Sequence, residues 1–212
     1  MFHDRDEAAH RLADKLNTYR GKHPLVLGIP RGAVPMAKVI AEQLGGELDV
    51  VLVRKLRAPQ QPELAIGSID ENGWTYLAED ALAYGGSDAY IEAEKQAQLA
   101  TIRQRRAQYK PIHPPVSPSG RIVIVVDDGL ATGATMISAL HGLRATKPAK
   151  LICAVPVAPP DTLLKVADLA DEVVCLAAPQ FFQAVGQFYQ DFPQVEDDEV
   201  IEVLQGALTP TR

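Results

Sequence analysis

The feature that most limits the folds open to this chain is a set of short, almost wholly aliphatic runs spaced by helical stretches. They read PLVLGIP from Pro24, DVVLVRKL from Asp49, RIVIVVDD from Arg121, AKLICAVPVA from Ala149 and DEVVCLA from Asp171. A strand with one wet face alternates apolar and polar residues. Runs this uniform are what strands show when helices cover both faces of a parallel sheet. The expectation is an α/β fold with a mostly parallel sheet flanked by helices.

The intervening segments fit that frame. Ala9, Leu12, Ala13, Leu16 and Tyr19 share one face of a helix over residues 4–20, with Asp4 placed as its cap. Further helices are expected from about Val34 to Leu44, up to about Arg144, and from Asp161 to Leu169. PLVLGIP, its helix and DVVLVRKL then form a βαβ unit. ELAIGSID and WTYLAED flank Glu71-Asn72-Gly73, and the Asn-Gly pair predicts a tight hairpin turn. Residues 88–109 are rich in strong helix formers, and Pro111, Pro114, Pro115 and Pro118 end that helix. The hairpin and long helix make an insertion over residues 59–119 of a single unit spanning 1–212. The rhythm changes in the last 35 or so residues, where aromatics precede a short helix, EDDEVIEVLQGAL.

Composition narrows the partners. The formal net charge of -6 argues against a broad nucleic-acid-binding face. The N-terminus is too charged for a secretory signal and no apolar run is long enough to cross a membrane, so a cytoplasmic protein without membrane contact is expected. Cys153 and Cys175 sit in apolar runs without metal-ligand spacing and read as reduced core residues. The histidines are scattered, without metal spacing or an adjacent nucleophile. Arg103, Arg105 and Arg106 read as a solvated helix face.

The chemistry concentrates between Val123 and Thr135, VIVVDDGLATGAT. Four β-branched residues make a central strand, and Asp127 and Asp128 end it at the carboxyl edge, where open α/β sheets bind ligands. Adjacent buried carboxylates need water, a cation or hydroxyl donors. The small residues Gly129, Leu130, Ala131, Thr132, Gly133, Ala134 and Thr135 then open a helix. Their backbone N–H groups can converge on an anion, helped by the helix dipole and the two threonine hydroxyls. The combination reads a diol and a phosphate together. No Gly-Lys-Ser/Thr follows the glycines and no GxGxxG is present, so the known nucleotide loops are excluded.

This segment resembles the signature of the type I phosphoribosyltransferases: an apolar strand, two acids and a small Thr/Gly loop that binds phosphoribosyl pyrophosphate (PRPP). Gly129 departs from it, since the family more often has a bulkier apolar residue there, which loosens the loop. The resemblance implies transfer of phosphoribose from PRPP to a nitrogenous base with release of pyrophosphate, in nucleotide salvage or related metabolism. Asp127 and Asp128 would orient the ribose, directly or through the waters of a magnesium ion. It also implies a pyrophosphate loop after the first core strand, where Arg31 and Gly32 stand, often with a strained peptide bond. A basic pair on the next strand, Arg54 and Lys55, would face the departing pyrophosphate. The loop after them, APQQPELAIG with Glu63, is short and proline-rich and suits a modest lid.

A hood over the acceptor base is implied for residues 178–212, with Phe181, Phe182 or Tyr189 stacking on the base. Packing of a small second core is the competing reading of those aromatics. A homodimer is implied as well. Two alternatives to the enzyme are a regulatory protein that senses PRPP without efficient catalysis and an assembly protein with a vestigial site.

Overall fold

The computed structural model describes residues 1–62 and 64–207. The sequence expectation of a mostly parallel sheet between helices is met. Five parallel strands, β1 (Leu25–Gly28), β2 (Glu47–Val50), β6 (Ile122–Val126), β7 (Lys150–Val157) and β8 (Glu172–Ala177), lie in the order β2-β1-β6-β7-β8. Val26, Ile124 and Ile152 point to one buried face, packed by α1 (Arg5–Lys15) and α2 (Ala33–Leu44). Leu27, Val125 and Cys153 point to the other, packed by α4 (Ala134–Ala145) and α5 (Pro160–Ala167). Because both faces are dry, the strands have no polar alternation to show. Cys153 is buried and Cys175 half-buried, and neither forms a disulfide.

Helix α1 begins as expected, with the Asp4 carboxylate accepting the Glu7 N–H at 2.8 Å. It ends at Lys15, and a single 3₁₀ turn (Asn17–Tyr19) carries Tyr19 onto Glu172 and Lys150. The short α6 (Asp197–Ala207) packs on α2 and β2. Leu208 and the residues after it in the expected hood lie outside the described residues.

One strand expectation needs correction. DVVLVRKL is not one strand: β2 stops at Val50, and β3 (Val53–Arg57) belongs to a separate antiparallel sheet ordered β3-β4-β5, with β4 (Ala65–Asp70) and β5 (Thr75–Leu77). The inserted layer therefore starts before residue 59. The unbroken apolar run from Val50 to Val53 carries no mark of a change of sheet, because it has no polar alternation to show where one strand stops. The hairpin expected around Glu71-Asn72-Gly73 is present: β4 and β5 pair antiparallel, and Gly73, at φ +90°, donates its N–H to the Asp70 carbonyl at 3.1 Å. Asp70 Oδ1 also accepts the N–H groups of Asn72 and Trp74, at 2.9 Å each, which braces the turn. The long helix α3 (Asp88–Tyr109) lies across β3 and β4.

The segment between β3 and β4 is closed by turns, with Ala58 N–H on the Leu64 carbonyl at 2.9 Å. Glu63 lies outside the described residues. Arg105 and Arg106 are not a solvated face. Arg105 sits 3.6 Å from Asp197, and Arg106 holds Glu71 through two nitrogens at 2.7 and 3.2 Å.

Candidate active site

Strands β1 and β6 are neighbours, so the turns that follow them meet at one end of the sheet. The result is a cavity of about 240 Å3 bounded by Arg31 and Gly32 after β1, the 127–135 turn after β6, and Lys55 from β3. Three segments far apart in sequence thus meet around one space. The Pro30–Arg31 peptide in the first turn is cis.

The turn after β6 is shaped to receive an anion. Leu130 is buried and spends its N–H on the Val157 carbonyl at 2.9 Å, which anchors the turn to β7. The N–H groups of Ala131, Thr132 and Gly133 have no backbone partner among the described residues. They stand at the N-terminus of α4, where the peptide dipoles add positive potential. Thr162 of α5 clamps the Ala131 carbonyl at 2.7 Å, so the turn is supported from behind.

Gly129 is enclosed rather than loose. A Cβ added there would lie 2.6 Å from Val185 Cγ1 and 3.0 Å from Val157 Cγ1. Val185, from the segment after β8, fills the room that a larger residue at 129 would take. Gly129→Val should therefore overpack the turn and destabilise by about 1–3 kcal/mol. Val185→Ala in the same chain should recover only the part of the loss due to crowding, because the Gly129 φ of 157° and the Val157 contact still oppose a side chain; in urea unfolding, equal destabilisation with and without Val185→Ala would mean that crowding by Val185 contributes nothing.

The acidic pair is uneven. Asp127 Oδ1 accepts the Asp128 N–H at 2.9 Å, but burial, and then the neighbouring Asp128 charge, push its carboxyl well above the usual carboxylate range. Burial raises Asp128 too, opposed by a residue that the sequence did not single out. Arg5 of α1 places Nε and Nη2 each 2.9 Å from Asp128 Oδ2, with the two side chains only 13% and 17% exposed. Its Nη1 donates to the Pro193 carbonyl at 2.6 Å, and the guanidinium lies 3.8 Å from the centre of the Phe192 ring. Gly32 completes this contact, since a Cβ there would collide with Asp128 Oδ2. A basic residue in the first turn of a helix opposes the macrodipole, and that is the one local sign that Arg5 has a tertiary partner.

The remaining candidates divide. Lys55 is exposed, borders the cavity and draws both carboxylates downward by its charge. Arg54 does not join it. The pleat of β3 sends it the other way, where Nε donates to Gln98 of α3 at 2.9 Å, so the expected basic pair contributes one cation to this cavity. Arg31 borders the cavity while its Nη1 lies 3.1 Å from Glu196.

The hood aromatics also separate. Phe181 is 91% exposed, and Phe182 leans on Phe188 with ring centres 5.0 Å apart. Tyr189 is only 6% exposed, packs between Phe2 and Phe192, and donates its hydroxyl to the Asp128 carbonyl at 2.7 Å. It braces the acidic turn from below and presents no free ring face to a base, which corrects its expected stacking role.

Fold and site together define a phosphoribosyltransferase-type protein, and the comparisons agree. The phosphoribosyl transferase domain family matches residues 3–193, and the chain belongs to that family. Two Mycobacterium tuberculosis proteins, each called a "putative phosphoribosyl transferase", are 43% identical over 208 residues, covering 98% of this chain and 47% of their own length. The chain thus spans about half the length of the curated relatives it matches. The crystal structure of TT1426 from Thermus thermophilus superimposes with a TM-score of 0.80 at 43% identity, covering 97% of this chain and 98% of that one.

Proposed function

We propose that this chain transfers phosphoribose from PRPP to a nitrogenous base and releases pyrophosphate, working as a single unit and as a homodimer in nucleotide salvage or related metabolism. The observation that carries this reading is the convergence of an anion-receiving turn, two carboxylates, Arg31 and Lys55 on one cavity. The free N–H groups of Ala131 to Gly133 and the hydroxyls of Thr132 and Thr135 take the 5′-phosphate. Asp127 and Asp128 accept the ribose hydroxyls. Arg31 and Lys55 face the pyrophosphate.

The acceptor nitrogen forms its bond to ribose C1 as the bond from C1 to the pyrophosphate oxygen breaks. Pyrophosphate leaves with that electron pair, and the proton released by the acceptor goes to solvent. Positive charge builds on the ribose on the way, and the paired carboxylates stabilise it where it develops. Arg5 aims Asp128 through two nitrogens and opposes the upward effect of burial on its carboxyl.

The residues fit a magnesium ion. Asp127 and Asp128 are hard oxygen donors, and magnesium commonly uses one or two carboxylates plus phosphate oxygens while retaining water. Among the described residues no group of three or more His, Cys, Asp or Glu side chains is placed to hold a metal. When bound, the ion would neutralise pyrophosphate charge. Among the described residues no helix is long and apolar enough to cross a membrane, and a cytoplasmic setting is part of this reading.

One observation favours the second reading, a PRPP sensor. Asp128 and Arg31 are each engaged by a charged residue of their own chain, Arg5 and Glu196. Calorimetry with PRPP and magnesium should show affinity at least about tenfold weaker for Asp128→Asn/Thr132→Val than for the native chain; equal affinities would remove the site. A pyrophosphate-release assay over a panel of purine and pyrimidine bases separates the readings. One productive base names the enzyme, and tight PRPP binding with no turnover on any base favours the sensor.

A further inference from the structure

Strand β4 lies along helix α4 in close contact at two points. Ser68 and Asp70, two positions apart on β4, turn the same way, and a Cβ added at Gly142 of α4 would lie 2.4 Å from Asp70 Oδ2. The other point is a pair of hydroxyls. Ser68 Oγ lies 2.6 Å from the carbonyl oxygen of Ala134, the first residue of α4, and 2.6 Å from Ser138 Oγ, one helical turn further on. Both serines are fully buried.

A hydroxyl has one proton, and a carbonyl oxygen can only accept. Ser68 therefore donates to Ala134, and Ser138 donates to Ser68. These bonds tie the second sheet to the helix that opens at the anion-receiving turn. They also bear on Lys55, which is the register partner of Ser68 across β3 and β4. Residues directly opposed in an antiparallel pair share a face. Lys55 and Ala134 both border the cavity at the end of the main sheet, whereas Ser68 does not. The Ser68 hydroxyl thus stands between the strand pair that carries Lys55 and the helix start that carries the turn.

We infer that Ser68 is a positioning residue, whose bond to the Ala134 carbonyl sets the separation between Lys55 and the turn over residues 131–135 and so favours a ligand with an anionic group at each end. The inference rests on the transferase reading, in which the turn takes the 5′-phosphate and Lys55 faces the pyrophosphate. Without the bond, β4 stays packed at Asp70 and Gly142 while its Ser68 end, with Lys55 beside it, is released. Ser138 is then free to donate to the Ala134 carbonyl four residues back, so α4 keeps its first turn. The turn itself stays intact, and only a ligand that needs both ends loses affinity.

Calorimetry on the full chain compares ribose 5-phosphate, which reaches the turn and the carboxylates, with PRPP and magnesium, which also reaches Lys55. Ser68→Ala should weaken PRPP by about three- to tenfold, the worth of one hydrogen bond, and leave ribose 5-phosphate within about twofold of native. Ser138→Ala removes an equally buried hydroxyl but leaves the Ser68 bond, so PRPP should stay near its native affinity; a purely structural role would make the two variants alike. In a Lys55→Ala background, Ser68→Ala should cause no further loss. Ser68→Cys, close in shape and only a weak donor, carries the same comparison if the alanine variant does not fold. The inference is overturned if the two serine variants weaken PRPP equally, if Ser68→Ala weakens both ligands alike, or if its effect persists without Lys55. A native chain that binds PRPP while Ser68→Ala changes nothing overturns this inference alone. A native chain that does not bind PRPP overturns the transferase reading, and this inference with it.

Discussion

Asp127→Asn is expected to lower pyrophosphate release by about 10²- to 10³-fold, the range for removing one group aimed at developing transition-state charge. The same change is expected to raise Tm at pH 7 by about 2–6 °C. Both effects have one cause. Burial and the neighbouring Asp128 charge raise the folded-state pKa of Asp127, whereas the unfolded chain titrates near the ordinary value of about 3.9. Below that value both states are protonated and the stability is fully present. As pH climbs through the raised folded-state value, the unfolded chain has already ionised and stability is lost. Asparagine escapes that loss, so calorimetric scans should show the Tm gain at pH 7 and none below about pH 4. A gain that stays constant across this range would mean that desolvation of the carboxylate is not its source.

Arg5→Met should have the opposite effect on the fold. It strands the Asp128 carboxylate in a nearly closed site, and breaking such a pair from one side costs about 3 kcal/mol or more. For a chain of this length the expected fall in Tm is about 6–12 °C. Methionine retains much of the stacking on Phe192, so the loss should report the ion pair rather than the packing. Adding Asp128→Asn removes the stranded charge and should recover most of the stability. A double variant whose loss equals the sum of the two single losses would show that the residues are not coupled.

The two predictions share a physical origin. Both carboxylates, which on the proposed reading accept the ribose hydroxyls, are raised by burial. Asp128 is relieved by Arg5 and Asp127 is not. The asymmetry separates the two: Arg5 opposes the effect of burial at Asp128, while at Asp127 burial and the Asp128 charge act together. Such opposed environments around adjacent acids are how a site separates roles between like residues.

Much of this was legible in the sequence because it depends on local pattern. The parallel sheet follows from runs without polar alternation, and the anion-receiving turn from two acids and a run of small residues between strand and helix. Asp4 as a cap and the α3 segment depend on neighbours a few positions away, so they could be read directly. Residues 127–135, Arg31, Gly32 and Lys55, all singled out in the sequence, border one cavity.

Other features were decided only by tertiary structure. Arg5 lies 123 positions from Asp128 and meets it because α1 crosses the sheet beside β7 and β8. Val185 occupies the space over Gly129, so the departure from the family pattern is filled from another segment. Arg54 and Lys55 part because successive side chains of any strand point to opposite faces; that Lys55 faces the cavity and Arg54 faces α3 is set by the place of β3 in the second sheet. Tyr189 is drawn under Asp128 by packing against Phe2 and Phe192, whose contacts are spread over nearly the whole chain. Local sequence specifies which backbone a segment adopts and which chemistry it carries. Which distant group relieves a buried charge or fills a missing side chain depends on how the layers stack, and a window of neighbouring residues does not contain that information.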